Sequence, residues 1–284
     1  MEARDALELG ELRKWEDLPI DCLAKIFEGA GTESLIFSLP LVCKNWHTAS
    51  LDPQCWKVLD FDSVIQSTLQ KYTSYSLSLV ESFHELVKFA VDRSQGIATK
   101  VVLGYTDPEY ENIMTYISDG CPRLKSLVLY EASEPRDEDM GCISKLIKKW
   151  KDLEHLSVFC GDHFDEIISE VSDHCSNFAS LTTCKEISCA DATTIATYLP
   201  NIKSLTLSGS RLDRQDLKII LAGCRELEFL DVTHCEGFDE DDADILKEAS
   251  HIKTFLSEGS GENNYDYDYD NFQDDYPLDD YPGW

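Results

Sequence analysis

Ile202-Lys203-Ser204-Leu205-Thr206-Leu207 sets apolar side chains at its first, fourth and sixth positions. That is the pattern of a strand with one buried face. The frame returns as Leu124-Leu127-Leu129, Leu153-Leu156-Val158 and Leu227-Leu230-Val232, and more weakly as Phe178-Leu181-Thr183. Degenerate copies are Ala98-Val101-Leu103 and Trp56-Leu59-Phe61. From Ala98 on, the copies start 26, 29, 25, 24 and 25 residues apart. Independent strands would not hold such a period, whereas stacked repeats do.

Upstream of each frame the residues repeat too. Three positions before it stand Cys121, Trp150, Cys175, Leu199 and Cys224, and seven positions before it Ile117, Leu146, Val171, Ile195 and Ile220. The offset of four between the two sets is about one helical turn, so a helix lays both against the strand. Ile245 and Ala249 before Ile252-Phe255 continue this into a truncated last unit. Each unit buries its face only against its neighbours, giving an α/β solenoid of about six units over residues 97–257. Alternation turns Lys100, Val102, Val128 and Thr206 to the concave side. Tyr130, His155, Phe159, Phe229 and Asp231 share it and form the candidate substrate-binding set, with three large rings in the open.

The segment 15–61 is of another kind. Leu18-Pro19 opens a helix with Leu23, Ile26 and Phe27 on one face, since proline is tolerated in a first turn. Gly29 and Gly31 end it, Thr32 is the expected N-cap of a second helix carrying Leu35, Ile36 and Leu39, and Pro40 begins a third with Val42, Cys43 and Trp46. Three short helices bury little surface by themselves, so a partner or the rest of the chain must stabilise them. Between this segment and the solenoid, Asp62–Ser82 reads as a loop or a poorly formed first unit, followed by a helix facing Val87 and Val91 inward. Residues 62–96 are thus a linker and first degenerate repeat.

Leu18-Pro19, Ile26-Phe27, Val42-Cys43-Lys44-Asn45-Trp46 and the closing Trp56 resemble the F-box motif. Departures are Ile20-Asp21-Cys22, where many members carry an acidic residue sooner, and the stretch Gly29 to Gly31. The repeats, with Cys235 after Val232, resemble the cysteine-containing leucine-rich repeats that follow F-boxes in plant proteins. The resulting architecture is an N-terminal tail (1–14), a three-helix F-box, the linker, the leucine-rich-repeat solenoid and an acidic tail. The resemblance implies docking on a Skp-type adaptor through Leu18, Pro19, Ile26, Phe27, Val42, Cys43 and Trp46, and through it on cullin and a RING subunit. The repeats would hold a protein target for ubiquitination. Some leucine-rich F-box receptors enclose a small molecule; about six units are short for that, and no cofactor is expected.

Composition narrows the remaining classes. With 25 Lys+Arg against 54 Asp+Glu, the formal charge is −29, which repels nucleic acid and anionic membrane. Met1 to Gly10 contains no apolar stretch of signal-peptide length, and Leu35–Cys43 is far shorter than the ~20 residues of a membrane span. Eleven cysteines, an odd number spread along the chain, fit a reducing nucleus or cytoplasm. Residues 258–284 hold nine carboxylates and no Lys or Arg, a composition expected to be disordered.

No phosphate-binding loop, nucleophile elbow or His-Glu-x-x-His pair occurs, and no catalytic residue is assigned. Asp266-x-Asp268-x-Asp270 imitates the start of a calcium loop, but Asn271 and Pro277 replace its glycine and glutamate. Histidines and cysteines at 174–175, 184, 189 and 234–235 lack any Cys-x-x-Cys pair, and no metal is expected.

Overall fold

Among the described residues, eight strands pair in chain order as one parallel sheet. They are β1 (Val58–Asp60), β2 (Lys100–Tyr105), β3 (Ser126–Glu131), β4 (His155–Ser157), β5 (Ser180–Thr182), β6 (Ser204–Thr206), β7 (Phe229–Asp231) and β8 (Thr254–Leu256). The computed structural model describes residues 15–71, 77–105, 110–131, 137–159 and 163–261. Register aligns Leu59, Val101, Leu127, Leu156, Leu181, Leu205 and Leu230 in one row, and all seven are fully buried. This is the fourth position of the repeated frame. One residue upstream of the strands the ladder continues: Glu154 N donates to Lys125 O at 2.8 Å, Lys203 N to Ala179 O at 3.0 Å and Glu228 N to Lys203 O at 2.8 Å. Each such bond satisfies a backbone donor and acceptor that would otherwise need water.

Behind the sheet stand α6 (Tyr110–Gly120), α7 (Asp137–Ile147), α8 (Phe164–His174), α9 (Cys189–Tyr198), and α10 (Arg214–Gly223). Their inward positions, Ile117, Leu146, Val171, Ile195 and Ile220, are buried, and so are Cys121, Trp150, Cys175, Leu199 and Cys224 just after the helices. The cysteines pack as small apolar groups and spend their weak donor on a neighbouring unit. Cys175 Sγ donates to Trp150 O at 3.4 Å and Cys235 Sγ to Leu207 O at 3.1 Å. The α9–α10 contact is close because residue 223 is glycine: a Cβ there would stand 2.4 Å from that of Ala196.

The first unit departs from the others. Between β1 and β2 it holds two helices, α4 (Phe61–Lys71) and α5 (Leu77–Ser94), covering most of the stretch expected as a loop or poorly formed unit. Val87 and Val91 of α5 face inward as expected. By contrast, α4 packs against β2 on the concave side. A Cβ on Gly104 would lie 3.1 Å from Asp62 Oδ1 and 3.9 Å from Ile65 Cδ1. Gly104 is on the same strand face as Val102, so α4 roofs that end of the concavity. Val102 and Val128, expected on the concave face, are there each only 7% exposed.

The N-terminal head comprises α1 (Ile20–Phe27), α2 (Thr32–Phe37) and α3 (Lys44–Ser50). Leu23, Phe27, Leu35, Ala49 and Trp56 join one apolar cluster running through the solenoid to Ile252. Trp56 is the joint: its Nε1 donates to Ser50 O at 2.8 Å, and its ring meets Phe89 of α5 edge-on at 5.7 Å. The short helices are therefore stabilised by the rest of the chain.

Two head details differ from expectation. Thr32 does not cap α2; Gly31, at φ 78°, precedes the helix and makes no side-chain cap. The Thr32 hydroxyl instead accepts from Asp60 N at 2.8 Å and donates to Val58 O at 3.2 Å, tying the head to β1. The third helix starts at Lys44 rather than Pro40. Leu39–Leu41 is a separate 3₁₀ turn, and Cys43 is extended at φ −161°, ψ 171°.

At the other end, α11 (Ala243–Glu248) is capped by Asp242, which accepts from Asp244 N and Ile245 N. Ser260 Oγ donates to Val232 O at 2.6 Å, closing the last turn. The disorder expected of the acidic tail falls, from residue 262 on, outside the described residues, as does the N-terminal tail. Among the described residues no helix is long and apolar enough to cross a membrane.

Candidate protein-interaction surfaces

The head exposes more apolar surface than its core requires. A 3₁₀ turn at Trp15–Asp17 is pinned to α3, with Asn45 Nδ2 donating to Glu16 O at 3.0 Å and to Leu18 O at 2.8 Å, and Trp46 Nε1 donating to Trp15 O at 3.4 Å. Pro19 then starts α1 with φ already at −54°. Leu23, Ala24 and Phe27 face the core, which leaves Ile20 and Ile26 in solvent. On the turn before α3, Leu41 is 80% exposed, and Val42 beside it is largely exposed. A groove of about 500 Å³ adjoins them, lined by Pro40, Leu41, Cys43, Lys44, His47 and Thr48. Large apolar groups held in water by a rigid frame are the signature of a docking surface.

The seven expected docking residues divide by burial. Pro19, Ile26 and Val42 are exposed, and Leu18, Cys43 and Trp46 are half-buried. Phe27 is not a surface group. It is 2% exposed and stands edge-on to Trp46 at 5.2 Å, supporting the head from within because it lies on the inward face of α1. Trp15, Ile20 and Leu41 are exposed apolar residues that the spacing did not single out. A signal was present: Leu39-Pro40-Leu41-Val42 is more apolar than one turn can bury.

The concave face also differs from its reading. Phe159 lies beyond the end of β4, so strand alternation does not apply to it, and both Phe159 and Phe229 are half-buried rather than open. Tyr130 is in β3, with its side chain outside the described ones. Asp231 Oδ1 accepts from Thr233 N at 3.0 Å and Thr233 Oγ1 at 2.7 Å, which holds the turn after β7.

Between the roofed end and Phe229 the face is a strip of small hydroxyls, all half-exposed: Ser126, Ser157, Ser180, Thr182, Ser204 and Thr206. His155 sits among them with Nδ1 2.9 Å from Ser180 Oγ. Burial, and secondarily the Lys100 charge, push its imidazole below the ordinary range, so it is neutral at physiological pH. Short side chains let a partner approach the sheet closely, and each offers both a donor and an acceptor. The recurring serine before the central leucine, at 126, 180 and 204, is the trace of this strip in the sequence.

Among the described residues no group of three or more His, Cys, Asp or Glu could hold a metal ion. Burial, ahead of Asp52 and Glu28, raises the Cys55 thiol to about 11, and burial raises Cys121 and Cys224 to about 12 and Cys175 and Cys235 to about 11. Iodoacetamide at mildly alkaline pH should therefore modify the exposed Cys22, Cys184 and Cys189 at least about a hundredfold faster than these five. Peptide mapping over time would show it; equal labelling of Cys121 would mean that its unit opens.

Residues 15–58 match the family model of the F-box domain. An F-box/LRR-repeat protein of Arabidopsis thaliana is 29% identical over 267 residues, covering 88% of this chain and 85% of its own. The F-box protein SKIP19 of the same plant is 28% identical over 233 residues, covering 81% and 72%. Among solved structures, a leucine-rich repeat-containing protein from Legionella pneumophila aligns with 60% of this chain and 58% of its own, at 11% identity and a TM-score of 0.39. The chain carries an F-box followed by leucine-rich repeats.

Proposed function

We propose that the chain is a substrate-receptor subunit of a Skp–cullin–F-box ubiquitin ligase. The observation that carries this reading is the rigid union of two different surfaces. An F-box head with bare apolar side chains shares one core with a solenoid whose open face is polar. The head docks on the Skp-type adaptor, which links it to cullin and the RING subunit, and the repeats hold a target protein. No bond is made or broken by this subunit. It raises the effective concentration of a target lysine near a ubiquitin thioester carried by another subunit. The relatives' names, which join F-box and leucine-rich repeat, support the same assignment.

Purification of the tagged full-length chain from plant cells with the proteasome blocked tests this. Adaptor and cullin should co-purify in comparable amounts. Adaptor without cullin would make the chain a scaffold that uses its F-box outside any ligase, and recovery of neither would overturn the assignment.

A further inference from the structure

The charge of this acidic chain is unevenly placed. At the ends of α6 and α7 and on the turns from them into β3 and β4, at 119–125 and 145–154, stand six cations, Arg123, Lys125, Lys145, Lys148, Lys149 and Lys151, against three carboxylates. Two of the three are engaged: Asp119 lies 2.6 Å from Lys149 Nζ and Glu154 2.6 Å from Lys125 Nζ. Asp152 is exposed nearby. Arg123, Lys145, Lys148 and Lys151 are exposed and form no ion pair with any described residue. A cationic rim on a molecule of charge −29 is a site for an anion-rich polypeptide, because the remaining surface repels one.

We propose that this rim is occupied by residues 262–284 of the same chain. That segment carries eight carboxylates and no Lys or Arg, so its charge complements the rim. It also reaches. The rim lies four to five strands from β8, roughly 19–24 Å at about 4.8 Å per strand, and 23 residues at random-coil dimensions span a root-mean-square of about 25–30 Å. Tethering supplies an effective concentration in the millimolar range, enough for a contact made of solvated charges. Such a contact is screened by salt. It would make the tail a competitor for any acidic segment of a partner at this rim.

Zero-length carbodiimide coupling of the full-length protein at low concentration, mapped by mass spectrometry, is the test. Carboxylates of 262–284 should couple to Lys145, Lys148 and Lys151 several-fold more than to Lys247 and Lys253, which stand nearer to Gly261 in the chain. Arg123→Glu, which removes no lysine, should lower that coupling by about fivefold or more, and high salt should abolish it. Coupling spread evenly, or dominated by Lys247 and Lys253, or unchanged in Arg123→Glu, would overturn the proposal. So would links between isotopically distinct copies in a mixed sample, since the occupant would then be another molecule.

Discussion

Replacing Ile26 and Leu41 together by aspartate should abolish capture of the Skp-type adaptor, weakening it at least about a thousandfold, with the thermal midpoint moved by no more than about 2 °C. Both side chains are exposed in the free chain, Leu41 at 80%, so the fold loses almost nothing with them. At an interface each would contribute about 1.5–3 kcal/mol by burial. A carboxylate carried into an apolar groove costs about 1–3 kcal/mol or more beyond that loss. Titration calorimetry of the purified chain with the adaptor, beside a thermal melt, reads both quantities. Undiminished affinity in a folded variant would sink the docking surface drawn from this head. Leu18→Ala with Pro19→Ala tests the same surface less cleanly, because Leu18 also packs on the core. Phe27→Ala would lose binding for the wrong reason, by hollowing the head.

Trp56→Ala should destabilise the whole molecule, by about 3–5 kcal/mol. The ring is buried, meets Phe89 edge-on and donates to Ser50 O, so the substitution leaves a cavity and an unpaired carbonyl at the joint. Head and solenoid belong to one cluster, and urea unfolding followed by far-ultraviolet dichroism and by adaptor binding should show the two lost together at a lowered midpoint. A head that fails early while the solenoid melts at the wild-type midpoint would show that the shared core is not cooperative.

The repeats were legible because their information is local. The buried row from Leu59 to Leu230 and the helical positions four residues apart each recur within one unit. Packing that depends on distant residues was not legible. Nothing around Asp62 and Ile65 tells that α4 will lie on Gly104, which belongs to the next strand and, without a side chain, allows the close approach. In the head, apolar density revealed an excess over what a small core can hold, but not which residues make up the excess. Phe27 and Ile26 are adjacent in sequence, and only the orientation of α1 on α3 sends one inward and the other into water. Alternation failed at Phe159 because the strand stops at Ser157.

Thr32 bonded to both ends of β1, Trp56 wedged against Phe89 and α4 packed on both α2 and β2 leave no swivel between the two halves. A client on the hydroxyl strip would ride at a fixed distance and bearing from whatever grips the head. Which of its lysines comes within range would then be decided by the client's own pose and floppiness, since head and solenoid are fixed to one another.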